Sequence, residues 1–119
     1  MTRRSAPSPG YHFTLFIGAP PGSGKLCVTD RFAVFHRVAN RFPGFFSSEG
    51  QGFFQGEWED CLRIEIATRE AGEFLELAAD LREALHLEAV GVSWAGIYQR
   101  VLAGTESGGV LEHWKLPGI

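Results

Sequence analysis

Alternating apolar and polar residues between Cys61 and Ala67 limit the fold of this chain more than any other feature of the sequence. In the middle of that stretch every second residue is Leu or Ile, which is typical of a β-strand with one buried face. Residues 11–18 and 89–94 follow the same period of two. Residues 45–56 are rich in aromatic residues and glycine, which indicates a bulged or kinked strand. The sequence therefore predicts four strands.

Two further segments have the period of an amphipathic helix, and each lies between two of these strands. Thr29 is predicted to cap the first helix, which ends at Pro43 and Gly44, and Thr68 is predicted to cap the second. The predicted apolar stripes are Phe32, Phe35, Val38, Ala39 and Phe42 in the first helix, and Phe74, Leu77, Ala78, Leu81 and Leu85 in the second. Both stripes need an apolar surface to cover, which one face of a sheet supplies.

The resulting order, β-α-β-β-α-β, determines the predicted fold class. Two right-handed crossovers joined by a hairpin place both helices on one face of a four-stranded antiparallel sheet. We therefore expect an α+β fold, a ferredoxin-like sandwich, with an acidic hairpin turn at 57–60 and an edge strand continued by 95–102. The predicted domain comprises residues 11–102. A flexible leader, 1–10, precedes it, and a C-terminal extension, 103–119, is expected to pack on the domain or on a partner subunit.

Length and charge exclude several functional classes. The 119 residues suffice for one domain, and a net charge of −3 provides no general attraction to nucleic acid or to an anionic membrane. The Gly-aromatic-Gly-aromatic motif of RNA-recognition domains is absent from the third strand. No apolar segment follows the N-terminal twin arginine as a signal peptide or membrane span would require. We expect a cytoplasmic protein without nucleic-acid or membrane partners, in which Cys27 and Cys61 are reduced thiols, with a disulfide between them left open.

A glycine-rich segment after the first strand has part of the phosphate-binding motif G-x-x-x-x-G-K-[S/T]. That motif holds phosphates with backbone N–H groups and a lysine, and Mg²⁺ with a hydroxyl. Ala19 replaces the first glycine here, and Leu26 replaces the hydroxyl residue. We therefore expect a structural connection that neither binds ATP with Mg²⁺ nor hydrolyses it. The residues whose backbone N–H groups could still bind a simple anion are Gly22, Ser23, Gly24 and Lys25.

The sheet face opposite the helices carries the candidate functional residues. Those expected to bind a ligand there are Thr14, Phe16, Arg63, Glu65 and Trp94. If the chain is an enzyme, His12, Arg63 and Glu65 are the polar groups expected to meet over an apolar cleft. The carboxylates of residues 57–60 are interpreted as a solvated hairpin end. The histidines lack the spacing of metal ligands, so neither a metal nor a cofactor is predicted.

Exposed apolar groups on that face and in the C-terminal extension favour an interaction surface. The main hypothesis is therefore a non-enzymatic ligand-binding or regulatory module that acts as a homo-oligomer, with a small molecule or a protein as its ligand. One alternative is a small dimeric α+β enzyme with a pocket on the open sheet face. A second alternative is a degenerate phosphate-binding loop that binds a nucleotide or a phosphate.

Overall fold

The computed structural model describes residues 10–102, in which a five-stranded antiparallel sheet packs against two helices. The strands are β1 (Tyr11–Gly18), β2 (Phe46–Phe54), β3 (Glu57–Thr68), β4 (Ala89–Trp94) and β5 (Ile97–Leu102). Their order across the sheet is β2-β3-β1-β4-β5, and every neighbouring pair is antiparallel. The predicted leader, apart from its last residue, and the predicted C-terminal extension lie outside the described residues.

Both helices were expected in these places, but both begin at other residues than predicted. Helix α1 (Val28–Arg41) has Cys27 as its N-cap, and the Asp30 carboxylate accepts a hydrogen bond from the Cys27 N–H at 2.9 Å. The predicted cap Thr29 therefore lies inside α1. Helix α2 (Ala71–Ala84) begins after Glu70, whose N–H donates to the hydroxyl of the predicted cap Thr68 at 3.0 Å. Thr68 orders the chain just before α2 instead of capping the helix.

A single hydrophobic core lies between the helices and one face of the sheet. The strand residues expected to face it are all buried: Phe13, Leu15, Ile17, Leu62, Ile64, Ile66, Val90 and Val92. The predicted stripe of α2 is buried as well. Phe74 of α2 stacks on Phe13 of β1, with ring centroids 4.6 Å apart, and this contact joins the helix layer to the central strand. Burial of such large apolar side chains dominates the stability of a domain of this size.

Helix α1 is rotated relative to its predicted stripe. Val34 and Val38 are fully buried and Phe42 nearly so, whereas Phe32 is 69 % exposed. Residues 34 and 38 are one turn apart and lie on the same helix face, so Phe32 points away from the core. The prediction was wrong at Phe32 because the helical period accommodates two overlapping stripes in this segment, and only packing selects one of them.

The first hairpin turns at other residues than predicted, and the second hairpin was not predicted. The β2–β3 hairpin turns at Gln55 and Gly56, with φ of 50° and 83°, and the β4–β5 hairpin turns at Ala95 and Gly96, with φ of 51° and 81°. Two-residue turns with positive φ at both positions match the twist of paired strands. The predicted turn at 57–60 is therefore the beginning of β3. The prediction of four strands is also wrong, because the chain reverses after β4 and adds β5.

Candidate functional site

The sheet face without helices brings together side chains from four strands. Residues directly opposite each other in antiparallel strands project to the same face. Phe16 of β1 pairs with Arg63 of β3 and with Gly91 of β4, and Gly91 pairs in turn with Arg100 of β5. We call this side of the sheet the open face. Its residues come from four separate parts of the sequence.

A cleft of about 1090 Å³ lies on the open face, where β1 ends. The loop that follows β1 and the tip of the β2–β3 hairpin form part of its walls. The lining residues that matter for its chemistry are Phe16, Gly18, Glu59, Cys61, Tyr98 and Arg100. This volume is slightly above the usual range for small-molecule sites, roughly 300–1,000 Å³, and is large enough for a small organic ligand.

Two glycines allow functional side chains to lie flat on the floor of the cleft. A methyl group at Gly91 would stand 2.5 Å from Tyr98 Oη, and one at Gly18 would stand 2.5 Å from Glu59 Oε1. Any other residue at these positions would displace the phenol or the carboxylate. The Tyr98 ring lies 5.9 Å from the Phe16 ring, centroid to centroid, at an interplanar angle of 59°. The floor thus combines an aromatic pair with a carboxylate.

The charges around the cleft favour a cationic ligand. Glu57, Glu59 and Glu88 line it, against the single guanidinium of Arg100. An excess of carboxylates attracts cations and repels the phosphates of a nucleotide. Burial raises the pKa of the Cys61 thiol, and the charge of Glu59 raises it further. This electrostatic balance argues against the hypothesis of a degenerate phosphate-binding loop.

Burial likewise raises the pKa of the Tyr98 phenol, although the charge of Arg100 acts in the opposite direction. The phenol therefore stays protonated at neutral pH and can donate a hydrogen bond to a ligand. Arg100 is exposed at the cleft and can bind a ligand carboxylate through its planar guanidinium.

The glycine-rich loop bonds mainly with itself and with β3. The Ser23 hydroxyl accepts a hydrogen bond from the Lys25 N–H at 3.2 Å and donates to the Lys25 carbonyl at 2.9 Å. The Gly24 carbonyl accepts the Asp60 N–H at 2.8 Å. Gly22, Ser23 and Gly24 line the cleft, while the Lys25 N–H is already used. Anion binding by this loop stays a prediction.

The predicted catalytic residues lie further along the open face. His12 Nε2 and Glu65 Oε1 are 3.3 Å apart. Thr14, which is 8 % exposed, pairs with Glu65 across β1 and β3. Arg63 Nε donates to Ser48 Oγ at 3.3 Å, so its guanidinium is engaged with β2. The structure therefore brings His12 to Glu65 and directs Arg63 away from them.

Trp94 does not lie with the other predicted ligand-binding residues. It pairs with Phe13, a core residue, and therefore projects from the helix-covered face. Its ring meets that of Tyr11 edge to face, with centroids 5.9 Å apart. The expectation that Trp94 and Phe16 share one cleft is wrong, because Trp94 projects to the same side of β4 as the buried Val90 and Val92.

Two solved structures share this architecture. One is a phage SAM lyase in complex with S-methyl-5'-thioadenosine, with a TM-score of 0.62 and 20 % identity over 86 % of this chain and 96 % of that chain. The other is a phage SAM lyase in the apo state, with a TM-score of 0.51 and 17 % identity over 88 % of this chain and 98 % of that chain. The likeness is one of fold. No protein-family model and no curated protein matches the sequence.

These neighbours correct the main functional hypothesis. A non-enzymatic module was expected, and an enzyme was considered less favoured, but both matched chains are described as a lyase. The finding agrees better with the alternative of a small α+β enzyme that has its pocket on the open face. No helix within residues 10–102 is long and apolar enough to cross a membrane. In the same part of the chain, no three His, Cys, Asp or Glu side chains come together as metal ligands.

Sequence reasoning missed four residues of the cleft, namely Glu59, Cys61, Tyr98 and Arg100. Glu59 and Cys61 have the same parity along β3 as Arg63, so the alternation already contained their place on the open face. Glu59 was assigned to the predicted turn at 57–60. Cys61 was placed on the strand but was considered only as a reduced thiol. Tyr98 and Arg100 lie on β5, whose reversal at Ala95 the sequence did not indicate.

Proposed function

We propose that this protein is a lyase that cleaves S-adenosylmethionine (SAM) and releases S-methyl-5'-thioadenosine, with the cleft on the open face as its active site. The fold matches a SAM lyase over nearly its whole length, and one of those structures binds S-methyl-5'-thioadenosine. The observation that carries the proposal is the acidic, aromatic cleft on this fold. We also assign the order β2-β3-β1-β4 to a ferredoxin-like sandwich, extended at one edge by β5.

The chemistry of this cleavage suits such a cleft. When the bond between sulfur and the γ-carbon of the methionine part breaks, both electrons stay on sulfur, which becomes a neutral thioether. The γ-carbon then either bonds to the substrate's own carboxylate oxygen, without proton transfer, or forms a double bond after the β-carbon loses a proton to a base. In both routes the positive charge on sulfur decreases in the transition state and is gone in the product, so partial exclusion of water favours the reaction.

The residues of the cleft have separate roles in this proposal. The aromatic pair Phe16 and Tyr98 supplies flat apolar surface for the adenine or for the sulfonium. Arg100 binds and orients the substrate carboxylate. The pair of His12 and Glu65 lies outside the residues that line the cleft, so the cleft favours the lactone route, which needs no base. The identity of the second product, a lactone or an unsaturated amino acid, distinguishes the two routes.

Self-association is part of the proposal. Apolar side chains on the open face are exposed in the single chain, among them Phe46 at 78 %, Phe54 at 53 % and Leu102 at 40 %. A second copy on this face would cover them and would add an outer wall to the cleft. Sedimentation velocity at micromolar concentration should then give a species above the 13.1 kDa of one chain. A cytoplasmic location, as the sequence predicts, would place the enzyme with its substrate.

The decisive experiment is incubation of the purified chain with SAM, with chromatographic detection of S-methyl-5'-thioadenosine. Phe16→Ala and Arg100→Ala are expected to lower kcat/KM by about 10- to 100-fold, since each removes a contact in the cleft. Arg69→Ala, an exposed arginine before α2, is the matched control and should retain activity. If the wild-type chain neither forms S-methyl-5'-thioadenosine nor binds it in calorimetry, the proposed function is wrong.

A further inference from the structure

Glu59 has an unusual position among the carboxylates of this chain. It is half-buried, and its carboxylate lies over Gly18 on the floor of the cleft. Among residues 10–102 it forms no ion pair, and no side chain or backbone N–H donates a hydrogen bond to its carboxylate. Removing a charge from water without giving it a partner is unfavourable, even when the group is only partly buried.

Every other half-buried carboxylate of the described residues has a partner. These partners are the Cys27 N–H for Asp30, the Leu26 N–H for Asp60, His12 for Glu65 and Arg37 for Asp80. Glu59 departs from a rule that the rest of the domain follows. A half-buried charge without a partner, on the floor of a cleft, indicates that its partner is a ligand.

The surroundings of Glu59 select the kind of cation. Gly18, under the carboxylate, is two residues along β1 from Phe16, so the aromatic pair of Phe16 and Tyr98 lies beside it. A sulfonium donates no hydrogen bonds, so it is stabilised by negative charge and by aromatic faces, which also attract an amine cation of the same shape at that position. One carboxylate next to two rings suits the sulfonium.

We infer that Glu59 makes the cleft select a sulfonium over the corresponding neutral thioether. Glu59 faces the positive sulfur of SAM next to the rings of Phe16 and Tyr98. Once the bond to the γ-carbon breaks and the sulfur becomes neutral, this attraction ends, so the same residue favours release of S-methyl-5'-thioadenosine. The inference rests on the proposed function, because it names the group of SAM that this part of the cleft binds.

Calorimetry with two inert ligands tests the inference. Sinefungin carries a cationic amine in place of the S-methyl group of SAM, and S-adenosylhomocysteine has the same amino acid and nucleoside around a neutral sulfur. In Glu59→Gln the Kd of sinefungin should rise about tenfold, equivalent to ~1.4 kcal/mol, while that of S-adenosylhomocysteine changes less than about twofold. Glu83→Gln, an exposed carboxylate on α2, removes the same charge elsewhere and should change neither Kd.

Gly18→Ala is the second variant, and it preserves the charge. Its methyl group would stand 2.5 Å from Glu59 Oε1, so the flexible carboxylate must swing away while the strand backbone stays in place. We expect the same selective loss of sinefungin affinity. Thermal unfolding of Glu59→Gln should occur no lower than that of the wild type, because an unpaired half-buried charge has been removed.

The outcomes separate the two proposals. Equal weakening of both ligands by Glu59→Gln, or no weakening of either, overturns the inference and leaves the lyase proposal standing. If the wild-type chain binds both ligands equally well, the cleft does not select charge and the inference is also wrong. If the wild-type chain binds neither ligand and does not bind S-methyl-5'-thioadenosine, the proposed function fails and the inference fails with it.

Discussion

Asp60→Ala should detach the glycine-rich loop from the sheet and thereby destabilise the domain. The Leu26 N–H donates to Asp60 Oδ2 at 3.0 Å, and Leu26 itself is only 4 % exposed. Arg31 Nη1 donates to the Leu26 carbonyl at 2.7 Å on the other side of the same residue. The Asp60 carboxylate therefore holds the point at which the loop enters the core.

The expected loss of stability in Asp60→Ala depends on which hydrogen bonds of the loop remain. Alanine removes the acceptor of the Leu26 N–H but keeps the backbone bond from the residue 60 N–H to the Gly24 carbonyl, at 2.8 Å in the wild type. An unsatisfied, partly buried donor lowers the free energy of unfolding by about 1–2 kcal/mol. For a domain of this length the Tm should fall by about 5–10 °C. Asp60→Asn keeps an acceptor oxygen, so its loss should be less than half as large.

Urea unfolding followed by circular dichroism measures this difference, with an unchanged m value as the sign that only stability has changed. The loop also lines the cleft, so the Kd of S-methyl-5'-thioadenosine should rise in Asp60→Ala and stay near the wild-type value in Asp60→Asn. The reasoning is refuted if Asp60→Ala is within about 0.5 kcal/mol of the wild type, or if Asp60→Asn is as destabilising as the alanine variant.

Three further predictions concern the floor of the cleft and the core. Gly91→Ala should displace the Tyr98 side chain, whose hydroxyl would lie 2.5 Å from the new methyl group. Nucleoside binding should weaken severalfold at nearly constant stability, and unchanged binding in calorimetry would contradict this. Phe74→Ala should lower the free energy of unfolding by about 3–5 kcal/mol in urea titration, and a loss below about 1 kcal/mol would show that the core tolerates the cavity. The thiol of Cys61 is half-buried and has a raised pKa, so it should react with iodoacetamide at pH 7.5 more slowly than the exposed Cys27. Bound nucleoside should slow the reaction of Cys61 further, and equal rates for the two thiols in mass spectrometry would argue against its place on the floor of the cleft.

The residues around the cleft show which parts of the site could be predicted from the sequence and which could not. The alternation in β1 and β3 correctly placed Phe16, Arg63 and Glu65 on one face, because a strand has a fixed period of two. The same period in β4 puts Trp94 on the side of Val90 and Val92, so the prediction of Trp94 on the open face went against the alternation. Side chains of different strands become neighbours only when the strands pair, and the site consists of such neighbours.

The two short hairpin turns also limited what could be predicted from the sequence. Gln55 and Ala95 adopt positive φ without being glycine, asparagine or aspartate, so neither turn has the usual composition of a two-residue hairpin. The error at the first turn moved Glu59 from a strand to a solvated loop, and the error at the second hid β5 with Tyr98 and Arg100. Errors of a few residues in the turns therefore kept Glu59, Tyr98 and Arg100 out of the predicted site.

The sequence by itself determined the α+β class, the order of the first six elements and the buried residues of the strands. Those properties depend on local periodicity, which neighbouring residues carry in full. Only the tertiary structure decided the face of α1, the partners of β4, the fifth strand and the position of Glu59 over Gly18. They depend on which surfaces fit together and on which charges have a partner. These are relations between segments that are distant in the chain, such as Phe13 and its pairing partner Trp94.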